Sequence, residues 1–368
     1  MPPAAAAWSR SGCPLGRRMY KAEQGFQERL HFSPFLLYCK ETNYTMAKQE
    51  AKTCTPFKTT CGGQALIEGI MMQGPGKRAI VIRKPDGELD VTEEAVKPRT
   101  GPARLPFIRG LFVFGGSMVH GMKALMHSAE VSDDGTMDGE ELTGLDKWIS
   151  DHFAEDKAMG IIITLAAVIG IAFSVGLFIL LPTAITGLIG LVWKTMPLWF
   201  RSVLEGILKV AIFMTYLYMV SHMKEIHRVF EYHGAEHKTI YCYENGLELT
   251  VDNVRAQPRH HPRCGTSFLF VVITVSIFLS IAVFTPLEIE NTFLRMGLHL
   301  LMLPVIVGVT YEFNRYVGGH DGPVCRALRA PGMWMQNFTT FEPDDSMIEV
   351  GIEALKRVLP EEKGADQW

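Results

Sequence analysis

Two histidines four residues apart with a glutamate beside the second, His233-Gly-Ala-Glu236-His237, are the residues of this chain best suited to chemistry. On a helix, imidazoles at i and i+4 point the same way and can share one cation. Glu236, next to the second of them, is placed as the catalytic base that takes a proton from water at that ion, the division of labour of an HxxEH zinc-peptidase motif. The plain alternative is a set of polar histidines hydrogen-bonded at a membrane edge. The surroundings favour the metal reading, because six of the chain's 12 histidines (His222, His227, His233, His237, His260 and His261) fall between residues 221 and 265. If the preceding apolar segment runs on as one helix, His222, His233 and His237 project within roughly 60° of one another.

A catalytic zinc-type divalent metal needs a third protein ligand. Glu312, in Tyr311-Glu312-Phe313-Asn314-Arg315, is the first choice, with a simple ion pair to Arg315 as its competitor. His261 and Cys264, in His261-Pro262-Arg263-Cys264, are the alternative; an imidazole and a thiolate there favour a closed structural site, and a basic membrane anchor turning at Pro262 competes with ligation. Glu68 lies in the glycine-rich run GGQALIEGIMMQGP, which matches no phosphate loop and reads as tight β turns. Cys242 reads as a buried thiol, and with no GxSxG in the chain an acyl-enzyme mechanism has no support.

The elements that must position these residues belong mostly to a membrane. The chain of 368 residues is 48% hydrophobic with a formal charge of -3, and nothing in it resembles a basic nucleic-acid surface. Its seven cysteines are scattered and form no CxxC pair, which points to a reducing compartment. Four stretches are long and apolar enough for a span of about 20 residues: 159–181, 203–220, 267–284 and 293–310. The segment 182–200, with Trp193, Trp199 and two prolines, is expected to be an interfacial or re-entrant helix.

Basic residues in the loop 221–265 (Lys224, Arg228, Lys238, Arg255, Arg259, Arg263) and after the last span (Arg315, Arg326, Arg329) orient both regions, and hence both termini, toward the cytoplasm. The fold class expected is therefore mainly α: a polytopic unit of four transmembrane helices at 158–316 with a cytoplasmic His-rich loop. A small β-rich amino-terminal module at 46–103 precedes an interfacial helix and acidic linker at 104–157. The tail 317–368 carries an amphipathic helix with Asp344 or Asp345 as N-cap and Ile348, Ile352, Leu355 and Leu359 on one stripe. Residues 1–45 read as an extension upstream of a start at Met46, or as a targeting segment. Glu205 and Lys209, four apart in a span, are expected to pair locally at the interface.

Four blocks, CGGQALIEGIMMQGP from Cys61, YHGAEHKTIYCYE from Tyr232, HPRCGTSF from His261 and QNFTTFE from Gln336, together resemble the YqhQ-like family, bacterial membrane proteins grouped as domain of unknown function 1385. The resemblance covers Cys61 to the carboxy terminus. It implies a bacterial inner-membrane protein starting at Met46 and a metal-dependent enzyme, and it brings no substrate. With the motif it leads to an expected metal-dependent hydrolase, His233, His237 and Glu312 holding the ion and Glu236 activating water, acting on peptide or lipid-like substrates at the bilayer. The competing expectation is a non-enzymatic scaffold or assembly factor with a structural ion.

Overall fold

The computed structural model describes residues 57–97, 100–132, 165, 168–362 and 364–367. The expected extension 1–45, the acidic linker from 133 onward and the start of the first expected span lie outside them.

Short apolar runs, buried on both faces in the central strands, build the sheet. Strands β1 (Gly62–Leu66), β2 (Gly69–Gln73), β3 (Lys77–Arg83) and β4 (Leu89–Ala95) form an antiparallel meander in the order β1-β2-β3-β4. Because side chains alternate faces along a strand, the cross-strand pairs Ile70↔Val81 and Met72↔Ala79 fall on one face, while Met71↔Ile80 falls on the other with Leu66 and Ile82. Both faces are covered. Helix α1 (Ile108–Ser132) brings Ala124 against the second face. The first face is covered by two helices described below, through Tyr232, Ala235 and Ile240 of one and Met347, Val350, Ala354 and Leu355 of the other.

Four helices are long and apolar enough to cross a membrane: α2 (Val168–Val192), α3 (Leu198–Ser221), α6 (Gly265–Phe284) and α7 (Thr292–Gly319). Between and after them lie α4 (Lys224–Glu244), the short α5 (Val251–Arg255), α8 (Pro323–Thr339) and α9 (Asp345–Val358). Helices α4 and α9 are the pair on the sheet. The Asp344 carboxylate caps α9 by accepting from the Met347 N–H at 2.9 Å, and Ile348, Ile352 and Leu355 are buried on its inner stripe, as the amphipathic spacing predicts.

Two expectations about the spans need correction. Pro182 does not end the first span, because Gly176–Leu180 forms a π turn whose wider spacing accommodates the proline ring, and the helix continues to Val192. Most of the expected interfacial segment 182–200 is thus the end of α2, a turn and the start of α3. The second correction bears on chemistry. Helix α3 stops at Ser221, and Met223 adopts an extended backbone (ψ 130°) before α4 begins, so His222 is not in register with His233 and His237.

Nor do Glu205 and Lys209 merely pair with each other at the interface. The Glu205 carboxylate, 1% exposed, accepts from Thr183 of α2 at 2.7 Å and meets Lys209 Nζ at 3.0 Å. From α7 it takes Arg295 Nη2 at 3.2 Å and His299 Nε2 at 2.5 Å. One carboxylate therefore ties three spans together in the apolar unit, where an unpaired charge is expensive.

Candidate metal centre

The first turn of α6 and the middle of α4 meet at the site. His233 and His237, one turn apart, stack edge to face with ring centroids 4.3 Å apart. Cys264 is the N-cap residue of α6. His233 Nε2 lies 3.1 Å from Cys264 Sγ, and one ligand-type atom from each of His233, His237 and Cys264 lies within 4.8 Å of the others.

Backbone carbonyls fix both rings. His233 Nδ1–H donates to the Thr339 carbonyl at 2.7 Å, an acceptor left free because Thr339 ends α8. His237 Nδ1–H donates to the Arg259 carbonyl at 2.5 Å. With Nδ1 held by a carbonyl, each ring turns its Nε2 inward, the orientation that second partners give metal-ligating imidazoles. His237 Nε2 is buried and has no hydrogen-bond partner among the described residues. A buried acceptor of that kind is costly to leave unpaired, and a cation would satisfy it. Zn–N bonds of about 2.0 Å and a Zn–S bond of about 2.3 Å in a tetrahedron put ligand nitrogen and sulfur roughly 3.6 Å apart. A movement of about half an ångström from the His233–Cys264 separation meets that requirement, so the donor set fits a zinc-type ion with three protein ligands.

Burial pushes the Cys264 thiol up, but the neighbouring His233 and His237 imidazoles outweigh it and hold the thiol well below its ordinary value. For His233, burial acts downward and Cys264 upward, and the ring ends up raised to about 9. His233 nitrogen and Cys264 sulfur thus share a proton, which a cation held there would displace.

Glu236 stands beside this group without belonging to it. Its Oε1 accepts from the Gly63 N–H at 3.0 Å, and a Cβ on Gly63 would lie 3.0 Å from the Glu236 carboxyl carbon. The glycine in the β1 strand is what lets the carboxylate reach the sheet edge. Burial raises its pKa against the lowering influence of His233 and His237.

Glu312, the expected third ligand, is elsewhere. Both of its oxygens are engaged by Arg109, one by Nε at 2.6 Å, and the Phe107 N–H donates to Oε1 at 3.2 Å. It fastens the start of α1 to α7 through Arg109, and not through the Arg315 considered from sequence.

His261 is not in the ligand group either. Its Nε2 is 3.4 Å from Glu244 Oε2, and Glu244 is also paired with Arg263 and accepts from the Thr59 N–H at 2.8 Å. Burial pushes the His261 imidazole down to about 4. The ring centroid lies 5.6 Å from that of His237, so His261 supports the site as a neutral neighbour. His222 is exposed, bonded to the Tyr218 carbonyl at 2.7 Å. Glu68 at the β1–β2 turn has a left-handed backbone (φ 50°) and pairs with Arg228, while Tyr232 Oη donates to it at 3.1 Å, locking the hairpin to α4.

Sequence reasoning missed the part played by the block from Gln336 to Glu342. The Gln336 amide accepts from the His261 N–H and donates to the His261 carbonyl, each at 2.8 Å, pinning the loop that leads to Cys264. Thr339 supplies the carbonyl for His233, and Glu342 pairs with Lys238. Gly234 lets this segment close on α4, since a Cβ there would collide with the Phe341 carbonyl. The only signal was the repeated polar content of the block, which names no partner.

Residues 105–361 match the family described as "Protein of unknown function (DUF1385)". The chain is also similar to "Uncharacterized protein YqhQ" of Bacillus subtilis (strain 168), with 32% identity over 321 residues covering 83% of this chain and 94% of that protein. No solved structure matches significantly.

Proposed function

The chain belongs to the family of proteins of unknown function DUF1385, and from the geometry of its histidine–cysteine cluster we propose that it is a multi-pass membrane metal-dependent hydrolase. His233, His237 and Cys264 hold a zinc-type ion. The observation that carries this reading is the convergence of three donor atoms within 4.8 Å, both rings locked through Nδ1 and His237 Nε2 buried without a partner.

Bound by His233, His237 and Cys264, such an ion would supply Lewis acidity to an oxygen of water or substrate. The chain's own residues do the rest. Glu236, held by Gly63 and with its pKa raised by burial, accepts a proton from the attacking water and returns it to the leaving group. Cys264 sits at the first turn of a span, so the site lies at the membrane surface, and peptide or lipid-like substrates reach it from there. Lys and Arg in 221–265 and after α7, against none in 285–292, support a cytoplasmic orientation for this surface and both termini at the cell membrane.

The burial of His237 (1% exposed) and Glu236 (6%) favours a second reading, a scaffold whose His2Cys ion is structural. Glu236→Gln separates the two. Glutamine keeps the acceptor for the Gly63 N–H but cannot take a proton, so a hydrolase variant keeps wild-type metal content and fails to restore function in cells lacking the protein. Full restoration by that variant removes the hydrolase and leaves the scaffold.

A further inference from the structure

A cavity of about 460 Å³ lies between the β2–β3 turn at Gln73–Pro75, the segment around Arg104 and the last turns of α7 at Tyr311 and Arg315. Four cations line it, Lys97, Arg104, Arg109 and Arg315, and no carboxylate is among the lining residues. Arg109 is already balanced by Glu312. Lys97, Arg104 and Arg315 are exposed; Arg315 also feels the Glu312 carboxylate that Arg109 holds, which leaves Lys97 and Arg104 without an ion pair among the described residues and the lining with a net positive charge.

The surroundings place this pocket at a membrane boundary. Gly308 and Gly110 let the start of α1 press directly on α7: a Cβ on Gly308 would lie 2.9 Å from the Phe107 carbonyl, and one on Gly110 2.7 Å from Tyr311 Cβ. Next to the cations, Leu105 (52% exposed), Phe107 (55%) and Phe112 (55%) turn apolar surface outward. Met118 and Val119 continue that surface along α1. Cations on one side and an unpartnered apolar strip on the other, at the level where α7 leaves its apolar stretch, match the two ends of a phospholipid.

We propose that this cavity binds the phosphate headgroup of an anionic phospholipid, with the acyl chains against Leu105, Phe107 and Phe112. Arg104 and Arg315 grip the phosphate, Lys97 adds charge, and Tyr311 closes the floor. The pocket is independent of the histidine–cysteine centre and involves none of its ligands.

The test is a melting-temperature titration of the full chain in a neutral detergent with added phosphatidylglycerol, phosphatidylcholine or inorganic phosphate. Phosphatidylglycerol raises the melting temperature of the wild type, while the other two leave it unchanged at matched concentration. Each surface cation contributes about fivefold, so Arg104→Ala with Arg315→Ala weakens the phosphatidylglycerol response about thirtyfold. The exposed pair Lys224→Ala with Arg357→Ala, away from the cavity, keeps it. Equal responses to both lipids, a response retained by the Arg104/Arg315 variant, or an equal response to inorganic phosphate each overturn the proposal, the last by showing a site for free phosphate.

Discussion

Replacing Gly234 with alanine perturbs the candidate metal centre without touching a ligand. A Cβ at that position would overlap the Phe341 carbonyl by more than 1 Å against the 3.4 Å of ordinary contact. Backbone cannot rotate away as a side-chain tip can, so α4 and the segment after α8 must separate by about 1 Å, at a cost of roughly 1–3 kcal/mol. Thr339 is two residues from Phe341, and its carbonyl accepts from His233 at 2.7 Å. The same separation stretches that bond to roughly 3.7 Å, beyond the useful limit of about 3.2 Å. Losing the partner that orients a ligating imidazole typically lowers metal affinity about 10- to 100-fold. The assay is competition for zinc against a chromophoric chelator on the detergent-solubilised protein, with thermal melting in parallel to show that the variant is folded. Gly115→Ala, with nothing near its Cβ, serves as control. A folded Gly234→Ala protein that binds zinc as tightly as the wild type refutes the link between this close approach, the Thr339 carbonyl and the His233 ring.

Two other predictions follow from the same structure. Glu205→Gln removes the negative charge that faces Lys209, Arg295 and His299; leaving Arg295, at 0% exposure, without its counter-charge costs about 3–5 kcal/mol. Equilibrium unfolding in mixed micelles measures it, and a loss under 1 kcal/mol contradicts the network's role. Stability also falls on acidification: the unfolded His261 ring takes a proton near 6.5 while the buried ring resists to about 4, so between those values the unfolded chain holds the extra proton. The contribution, on the order of 3 kcal/mol, is intact above about pH 7 and lost by about pH 4; His261→Gln flattens that slope, and a slope left unchanged contradicts the assignment.

What was readable in the sequence is what depends on local pattern. Apolar runs gave α3 and α6 to within about five residues and α7 as far as Thr310, short of its end at Gly319; Ile and Val in Ala79–Arg83 gave β3, and the Asp344 cap with its apolar stripe gave α9. Pro182 misled because a proline ordinarily ends a helix, and nothing local announces the π turn that absorbs it. At the site, the spacing of His233, Glu236 and His237 already put three side chains together. Choosing between Glu312 and Cys264 was beyond local pattern, because Arg109, 203 residues away, takes Glu312. The carbonyls of Thr339 and Arg259 that orient the rings carry no side-chain signature at all.

The central claim is tested most directly by the metal content of the purified protein and of its single-site variants, read by elemental analysis after chelator stripping and zinc reloading, with cobalt substitution to report a thiolate bond. The wild type takes up one ion per chain and its cobalt form shows a sulfur-to-cobalt charge-transfer band; Cys264→Ala loses the band, His237→Ala loses the ion, and Glu312→Gln keeps both. A wild-type chain that reloads no metal, or a cobalt band that survives Cys264→Ala, contradicts the account.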